Sequence, residues 1–93
     1  MTFSALQTRR FARQYKKLHD NVAADVDAAV VSVSQAPHAG ERKKGDLSDL
    51  WVHKFNSQGQ LYLLGYTLDE NVRLVYLEAI GPLENFYRDL KRS

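Results

Sequence analysis

The chain has 93 residues, no cysteine and a formal net charge of +2. This length predicts a single domain over residues 1–93, and the apolar content of 44% is that of a globular protein rather than of a disordered one. The lack of cysteine excludes disulfides, thiolate nucleophiles and cysteine-based zinc sites. No apolar run is long enough to span a membrane and no secretory signal opens the chain, so we predict a cytoplasmic protein.

Positive charge is clustered along the sequence rather than spread evenly. The basic residues crowd the first segment, one central loop and the end of the chain, as Arg9, Arg10, Arg13, Lys16, Lys17, Arg42, Lys43, Lys44, Arg88, Lys91 and Arg92. Clusters of this kind attract either nucleic acid or an acidic protein partner, and composition alone does not choose between the two.

The first part of the chain predicts two helices. Residues 4–18 place Phe11, Tyr15 and Leu18 on one helical face, with basic residues around the rest. Residues 22–36 repeat valines at near-helical spacing among alanines, which favours a second helix over a strand. Because the turn between them is short, the two helices are expected to form an antiparallel hairpin.

The second part of the chain predicts a sheet and a last helix. Residues 37–50 contain proline, glycines and adjacent basic residues without a periodic apolar pattern, which indicates a loop. Alternating residues predict strands over 50–55, 60–68 and 72–80, and the short turns between them require an antiparallel meander. Pro82 suits the first position of the final helix.

The predicted order of elements is therefore ααβββα, in the α+β class. The helical hairpin is expected to cover one face of the sheet. Alternation along the third strand predicts two apolar faces, one with Val75, Leu77 and Ala79 and the other with Leu74, Tyr76, Glu78 and Ile80. The last helix is too short to cover the whole second face, so a strip of exposed sheet beside it is the predicted site.

Two segments carry a resemblance to a known family. GDLSDLWVHKF at 45–55 and ENFYRDLK at 84–91, in this order of elements, resemble the RelE/ParE superfamily of toxins from bacterial type II toxin–antitoxin systems. The resemblance spans nearly the whole chain. It implies an N-terminal helical hairpin packed on a curved antiparallel three- to four-stranded sheet, with a short C-terminal helix.

The same resemblance implies a function and partners. For RelE-like members it implies ribosome-dependent cleavage of messenger RNA, and for ParE-like members it implies poisoning of DNA gyrase without a nuclease site. In both cases it implies a small acidic antitoxin that wraps the toxin and covers apolar surface. We favour the endoribonuclease, and the alternatives are a gyrase poison and a catalytically weak relative.

RelE-like sites resemble a cationic strip with a C-terminal tyrosine. Lys54 matches a basic position of the first strand and Tyr87 matches the tyrosine, with Arg88 directly after it. These three are the predicted catalytic residues. The predicted residues for RNA and phosphate binding are Arg42, Lys43, Lys44 and Lys91.

Three positions depart from the nuclease pattern. Val52 stands where the nucleases often have a second basic residue, and Tyr62 stands where an arginine is common. Leu83 stands where a basic residue or a histidine is expected. These departures favour the alternatives, whereas Tyr87 and the basic loop favour the nuclease.

Cleavage of RNA by its own 2′-hydroxyl needs a base, an acid and positive charge on a phosphorane-like transition state. Lys54 can supply charge, Arg88 can bind a phosphate through two parallel hydrogen bonds, and Tyr87 can stack on a base or transfer a proton. Strand alternation points His53 away from Lys54. The reaction requires no metal and the histidines show no ligand spacing, so neither a metal nor a cofactor is predicted.

The same residues also have structural interpretations. Tyr87 lies on the apolar stripe of its helix with Leu83 and Phe86, where it can serve as part of the core. Arg88 and Lys91 can be solvated cations near a helix C-terminus.

Overall fold

The structure, a computed structural model, describes residues 2–43 and 49–91, and of residue 91 the backbone alone. Its helices are α1 (Arg9–Lys16), α2 (Asp20–Gln35) and α3 (Leu83–Lys91). Its strands are β1 (Ser4–Gln7), β2 (Glu41–Arg42), β3 (Trp51–Ser57), β4 (Gln60–Asp69) and β5 (Leu74–Pro82). Within the described ranges, no helix has both the length and the apolar character needed to cross a membrane.

The strands form one sheet in the order β1-β5-β4-β3-β2. The neighbours from β2 to β5 are antiparallel, which includes the predicted meander, whereas β1 lies parallel to β5. The predicted α+β class with an N-terminal helical hairpin and a short C-terminal helix is confirmed. Among the residues that the structure describes, the sheet has five strands, one of them parallel, in place of the three to four antiparallel strands expected.

Residues 4–7 form a strand where the sequence predicts the first turn of a helix. The amide of Ser4 donates to the carbonyl of Arg73 at 3.0 Å, which fixes the strand beside β5. The helix begins only after Thr8, whose hydroxyl accepts a hydrogen bond from the Phe11 amide at 3.3 Å as an N-cap. The predicted helix start was wrong because pairing with a distant strand outweighs the local pattern.

The α1–α2 hairpin covers one face of the sheet, here called the hairpin face. Phe11, Val26 and Val33 of the two helices are buried against it, and Val26 has no exposed surface. The sheet contributes Tyr62, Leu64, Tyr66, Val75, Leu77 and Ile80.

A buried hydrogen bond fixes the chain between α2 and β2. The hydroxyl of Tyr66, on β4, donates to the carbonyl of Pro37 at 2.7 Å. Gly40 passes so close to this hydroxyl that a Cβ atom at position 40 would clash with it. The path of the backbone into β2, and therefore the position of Glu41, is set by these contacts.

Helix α3 packs on the opposite face, here called the α3 face. Phe86 is only 2% exposed and lies so close to Gly65 that a Cβ there would come within 2.7 Å of the phenyl ring. Leu50, Val52, Leu63 and Ala79 complete this second, smaller core. Burial of Phe86 holds α3, and with it Tyr87, against the sheet.

A β-bulge changes the predicted division of β5 between the two faces. Gly65 opposes Ala79 and Tyr66 opposes Leu77, so Glu78 has no opposite residue on β4. The alternation changes phase at this point, and Ala79 belongs to the α3 face. The prediction that Ala79 and Leu77 share a face was wrong, because it assumed an unbroken ladder.

Candidate functional site

Four side chains meet on the α3 face, next to the edge of the sheet: Glu41, Lys43, Lys54 and Tyr87. We call them the lysine–tyrosine cluster. Glu41 lies on β2, Lys43 directly follows that strand, Lys54 lies on β3 and Tyr87 lies on α3. Because β2 pairs with β3 and α3 packs on the same face of the sheet, three separate parts of the chain supply the cluster.

The carboxylate of Glu41 bridges the two lysines. Lys43 Nζ lies 3.1 Å from Oε1 of Glu41, and Lys54 Nζ lies 3.3 Å from Oε2. The Lys43 side chain is 22% exposed, whereas those of Lys54 and Glu41 are 50% and 54% exposed. The two ammonium groups are therefore held around one anionic group that faces solvent.

The aromatic side of the cluster is formed by Tyr87. Lys43 Nζ lies 5.3 Å from the centroid of the Tyr87 ring, within the range of a cation–π contact. The ring packs edge-on against Phe86, with 5.0 Å between centroids. Tyr87 is half-buried on the α3 core, so its position follows that of Phe86.

The charges of the cluster stabilise one another. Interaction with the Tyr87 hydroxyl, and then with the Glu41 carboxylate, raises the pKa of Lys43 above its ordinary value. Hydrogen bonds from Lys43 and then Lys54 lower the pKa of Glu41. Near neutral pH Glu41 is therefore a carboxylate and Lys43 is an ammonium group.

The predicted catalytic residue Arg88 lies outside this cluster. Its guanidinium group donates to Oδ1 of Asn85 at 2.9 Å, and its Nε lies 3.7 Å from Oδ1 of Asp89. The side chain is 60% exposed, and it sits one residue after Tyr87 on α3. Its role in catalysis stays a prediction.

The predicted basic loop is divided between the two faces of the sheet. Arg42 pairs with Trp51, and its guanidinium carbon lies 6.0 Å from the centroid of a Trp51 ring. Trp51 packs against the core of the hairpin face, whereas Lys43 joins the lysine–tyrosine cluster. Lys44 lies outside the described residues, as does the side chain of Lys91.

The histidines also lie away from the cluster. His53 stands opposite Leu64 on the hairpin face and stacks on Phe55 at 6.0 Å, pointing away from Lys54 as alternation predicts. Burial lowers its pKa. His38 Nε2 lies 2.7 Å from Oε1 of Glu70. Among the described residues, no three His, Asp or Glu side chains are grouped so that they could hold a metal ion.

Two of the three departures from the nuclease pattern are core positions. Val52 is 1% exposed beneath α3, and Tyr62 is 8% exposed on the hairpin face. Leu83 is 46% exposed at the start of α3. Lys43 nevertheless supplies a second cation near Lys54, because β2 runs beside Val52.

Sequence reasoning missed Glu41. The sequence feature that could have identified it is the spacing of Glu41 and Lys43, since residues two apart share a face when the chain is extended. The segment was interpreted as a loop, because a strand of two residues leaves no alternating pattern to detect.

Residues 5–91 match the family model described as ParE-like toxin of type II bacterial toxin–antitoxin system. The chain belongs to this family. It is therefore the toxin of a type II toxin–antitoxin system, a class in which each toxin has a cognate antitoxin as its partner.

Solved toxin structures share its fold. The toxin–antitoxin complex RelBE2 from Mycobacterium tuberculosis has a chain with 20% identity and a TM-score of 0.77, matching 88% of this chain and 99% of that one. A mutant of the E. coli toxin RelE in the free state has 20% identity and a TM-score of 0.77, and the match covers 98% of this chain and 92% of that one.

The E. coli RelE mutant in complex with a peptide of the antitoxin RelB gives 22% identity and a TM-score of 0.72, over 100% of this chain and 99% of that one. The curated proteins contain no match to this sequence. At this level of identity the similarity shows a shared fold.

Proposed function

We propose that this toxin is an endoribonuclease that cuts messenger RNA on the ribosome and so inhibits translation. It would act in the cytoplasm, without a metal ion or a cofactor. The observation that carries the proposal is the convergence of two lysines and a half-buried tyrosine in the lysine–tyrosine cluster. The similarity in fold to structures named RelE supports the same assignment.

The lysines are suited to bind one phosphate together. Lys43 and Lys54 already contact the two oxygens of a single carboxylate, at 3.1 and 3.3 Å. Their ammonium groups are therefore close enough to contact two oxygens of a single phosphate. Lys43 thus compensates for Val52, the position where the nucleases often have a second basic residue.

The proposed reaction is an attack of the ribose 2′-hydroxyl oxygen on the adjacent phosphorus. The bond from phosphorus to the 5′-oxygen breaks, which leaves a 2′,3′-cyclic phosphate and a 5′-hydroxyl. The proton of the 2′-hydroxyl passes to solvent water. In this proposal the Tyr87 hydroxyl, whose ring lies 5.3 Å from Lys43 Nζ, gives a proton to the leaving 5′-oxygen, and the two ammonium groups stabilise the charge that develops on the phosphate.

Arg88, the residue after Tyr87, is proposed to bind a phosphate in this reaction. A side chain that is 60% exposed can leave Asn85 and Asp89 to bind a phosphate through two parallel hydrogen bonds. The flanking phosphates of the message are assigned to the remaining predicted basic residues, Arg42, Lys44 and Lys91.

The toxin is expected to be neutralised by a small acidic antitoxin. Two of the similar structures are the E. coli RelBE toxin–antitoxin complex and an E. coli RelE mutant bound to a peptide of the antitoxin RelB. An acidic partner would also suit the exposed basic residues of α1, among them Arg9, Arg13 and Lys16.

The proposal is tested by inducing the toxin in cells, then mapping RNA 5′ ends on translating ribosomes and gyrase–DNA cleavage complexes in the same cultures. We expect cuts within translated messages. Tyr87→Phe should reduce these cuts about a hundredfold, because it removes a proton donor. Tyr15→Phe is the matched control, since that hydroxyl bonds to Asp27 on the hairpin side.

Trapped gyrase without cut messages would contradict the nuclease and select the gyrase poison. If a folded and expressed toxin produced neither cut messages nor trapped gyrase, it would be a catalytically inactive relative. An equal reduction of message cutting in Tyr87→Phe and Tyr15→Phe would contradict the role of Tyr87 as the proton donor.

A further inference from the structure

The Glu41 carboxylate occupies the centre of the proposed phosphate site. Each of its oxygens contacts a different ammonium group, with Oε1 3.1 Å from Lys43 and Oε2 3.3 Å from Lys54. Two cations around a two-oxygen anion are also the arrangement that binds two oxygens of a phosphate. The mechanism above uses both lysines and leaves this carboxylate without a role.

We propose that Glu41 is a built-in competitor of the substrate: in the free toxin its carboxylate holds the position that the RNA phosphate takes, and it must turn away before RNA binds. This inference deepens the proposed function and rests on it. Glu41 would thus set the affinity of the site for phosphate rather than contribute to the chemical step.

The placement of Glu41 allows such a movement. Its side chain is 54% exposed and belongs to a strand of only two residues at the edge of the sheet. Ion pairs at such exposed positions are weak, because water screens them and two long side chains must be held in place. A phosphate group of RNA can therefore displace the carboxylate.

The lysines differ in how far they depend on Glu41. Lys43 is 22% exposed and also contacts the Tyr87 ring, so it keeps a partner when Glu41 leaves. The Lys54 side chain is 50% exposed, and its only ion pair among the described residues is with Glu41. Release of Glu41 therefore frees Lys54 in particular for an incoming anion.

The test measures the binding of inorganic phosphate to the isolated toxin, by following the backbone amide NMR signals of Lys43 and Lys54 during a titration. Glu41→Gln should bind phosphate about five- to tenfold more tightly than the wild type, because the fraction of sites open to ligand rises. The matched control is Glu84→Gln, which removes the same charge from an exposed residue of α3.

Glu84→Gln should change the affinity less than about twofold, since it acts only through the overall field. Adding Lys54→Gln to Glu41→Gln should abolish the gain. An affinity of Glu41→Gln that is unchanged, reduced or no higher than that of Glu84→Gln would overturn the inference.

These results separate the inference from the nuclease assignment, because phosphate binding is measured without ribosomes or cleavage. Tighter phosphate binding by Glu41→Gln in a toxin that cuts no message would overturn the proposed function alone. Unchanged binding in a toxin that cuts messages would overturn this inference alone.

Discussion

Replacing both Lys43 and Lys54 by alanine is expected to slow the cleavage of ribosome-bound messenger RNA about a thousandfold or more. Loss of one group that stabilises transition-state charge typically costs a factor of about 10² to 10³, and paired groups are not additive. The wild type holds both ammonium groups within 3.3 Å of one carboxylate, so the double variant removes the cationic part of the site at once. The measurement is single-turnover cleavage of a defined message on purified ribosomes.

The control for this variant is Lys16→Ala with Lys17→Ala, which also removes two positive charges. Both lysines are exposed at the end of α1, which packs on the other face of the sheet. The control should cleave at close to the wild-type rate, because it leaves both lysines of the proposed site in place. A Lys43/Lys54 variant that keeps more than about a tenth of the activity would contradict the assignment, given the size of the effect expected.

Replacing Phe86 by alanine is expected to lower the free energy of unfolding by about 3–5 kcal/mol. Phe86 is 2% exposed and its ring fills the space over Gly65 and beside Leu50, so truncation leaves a cavity under α3. For a small domain this is a large part of a total stability of about 5–15 kcal/mol. Urea denaturation monitored by circular dichroism measures the loss.

The same substitution should also reduce RNA cleavage, because α3 carries Tyr87 and the two rings pack edge-on at 5.0 Å. Phe86→Leu is the matched variant, since it keeps an apolar group in the same space. Its loss of unfolding free energy should be about half that of Phe86→Ala. A loss below about 1 kcal/mol for Phe86→Ala would show that α3 is not held by this residue.

Local patterns along the chain predicted most of the fold. The i, i+4, i+7 spacing of Phe11, Tyr15 and Leu18 indicated α1, and closely spaced strands indicated the meander, because these features depend on neighbours in sequence. The strand at Ser4–Gln7 and the bulge at Glu78 depend instead on pairing with distant residues. Such pairing leaves no local periodicity from which it could be predicted.

The site was predictable only in part, for a similar reason. The resemblance to known toxins predicted Lys54 and Tyr87 as site residues, and the run of adjacent basic residues predicted Lys43. Their convergence requires β2 to lie beside β3 and α3 to pack across the sheet. Glu41 was missed because an acidic residue in a basic loop gains its importance from the distances to Lys43 and Lys54, which only the fold provides.

The most direct test of the account is the chemistry of the cleaved ends on purified ribosomes, using a message with and without a single 2′-deoxynucleotide at the cut position. The account predicts a 5′-hydroxyl and a 2′,3′-cyclic phosphate from the natural message, and no cut at the 2′-deoxy position. Ends that carry a 5′-phosphate, or equal cutting at the 2′-deoxy position, would contradict it.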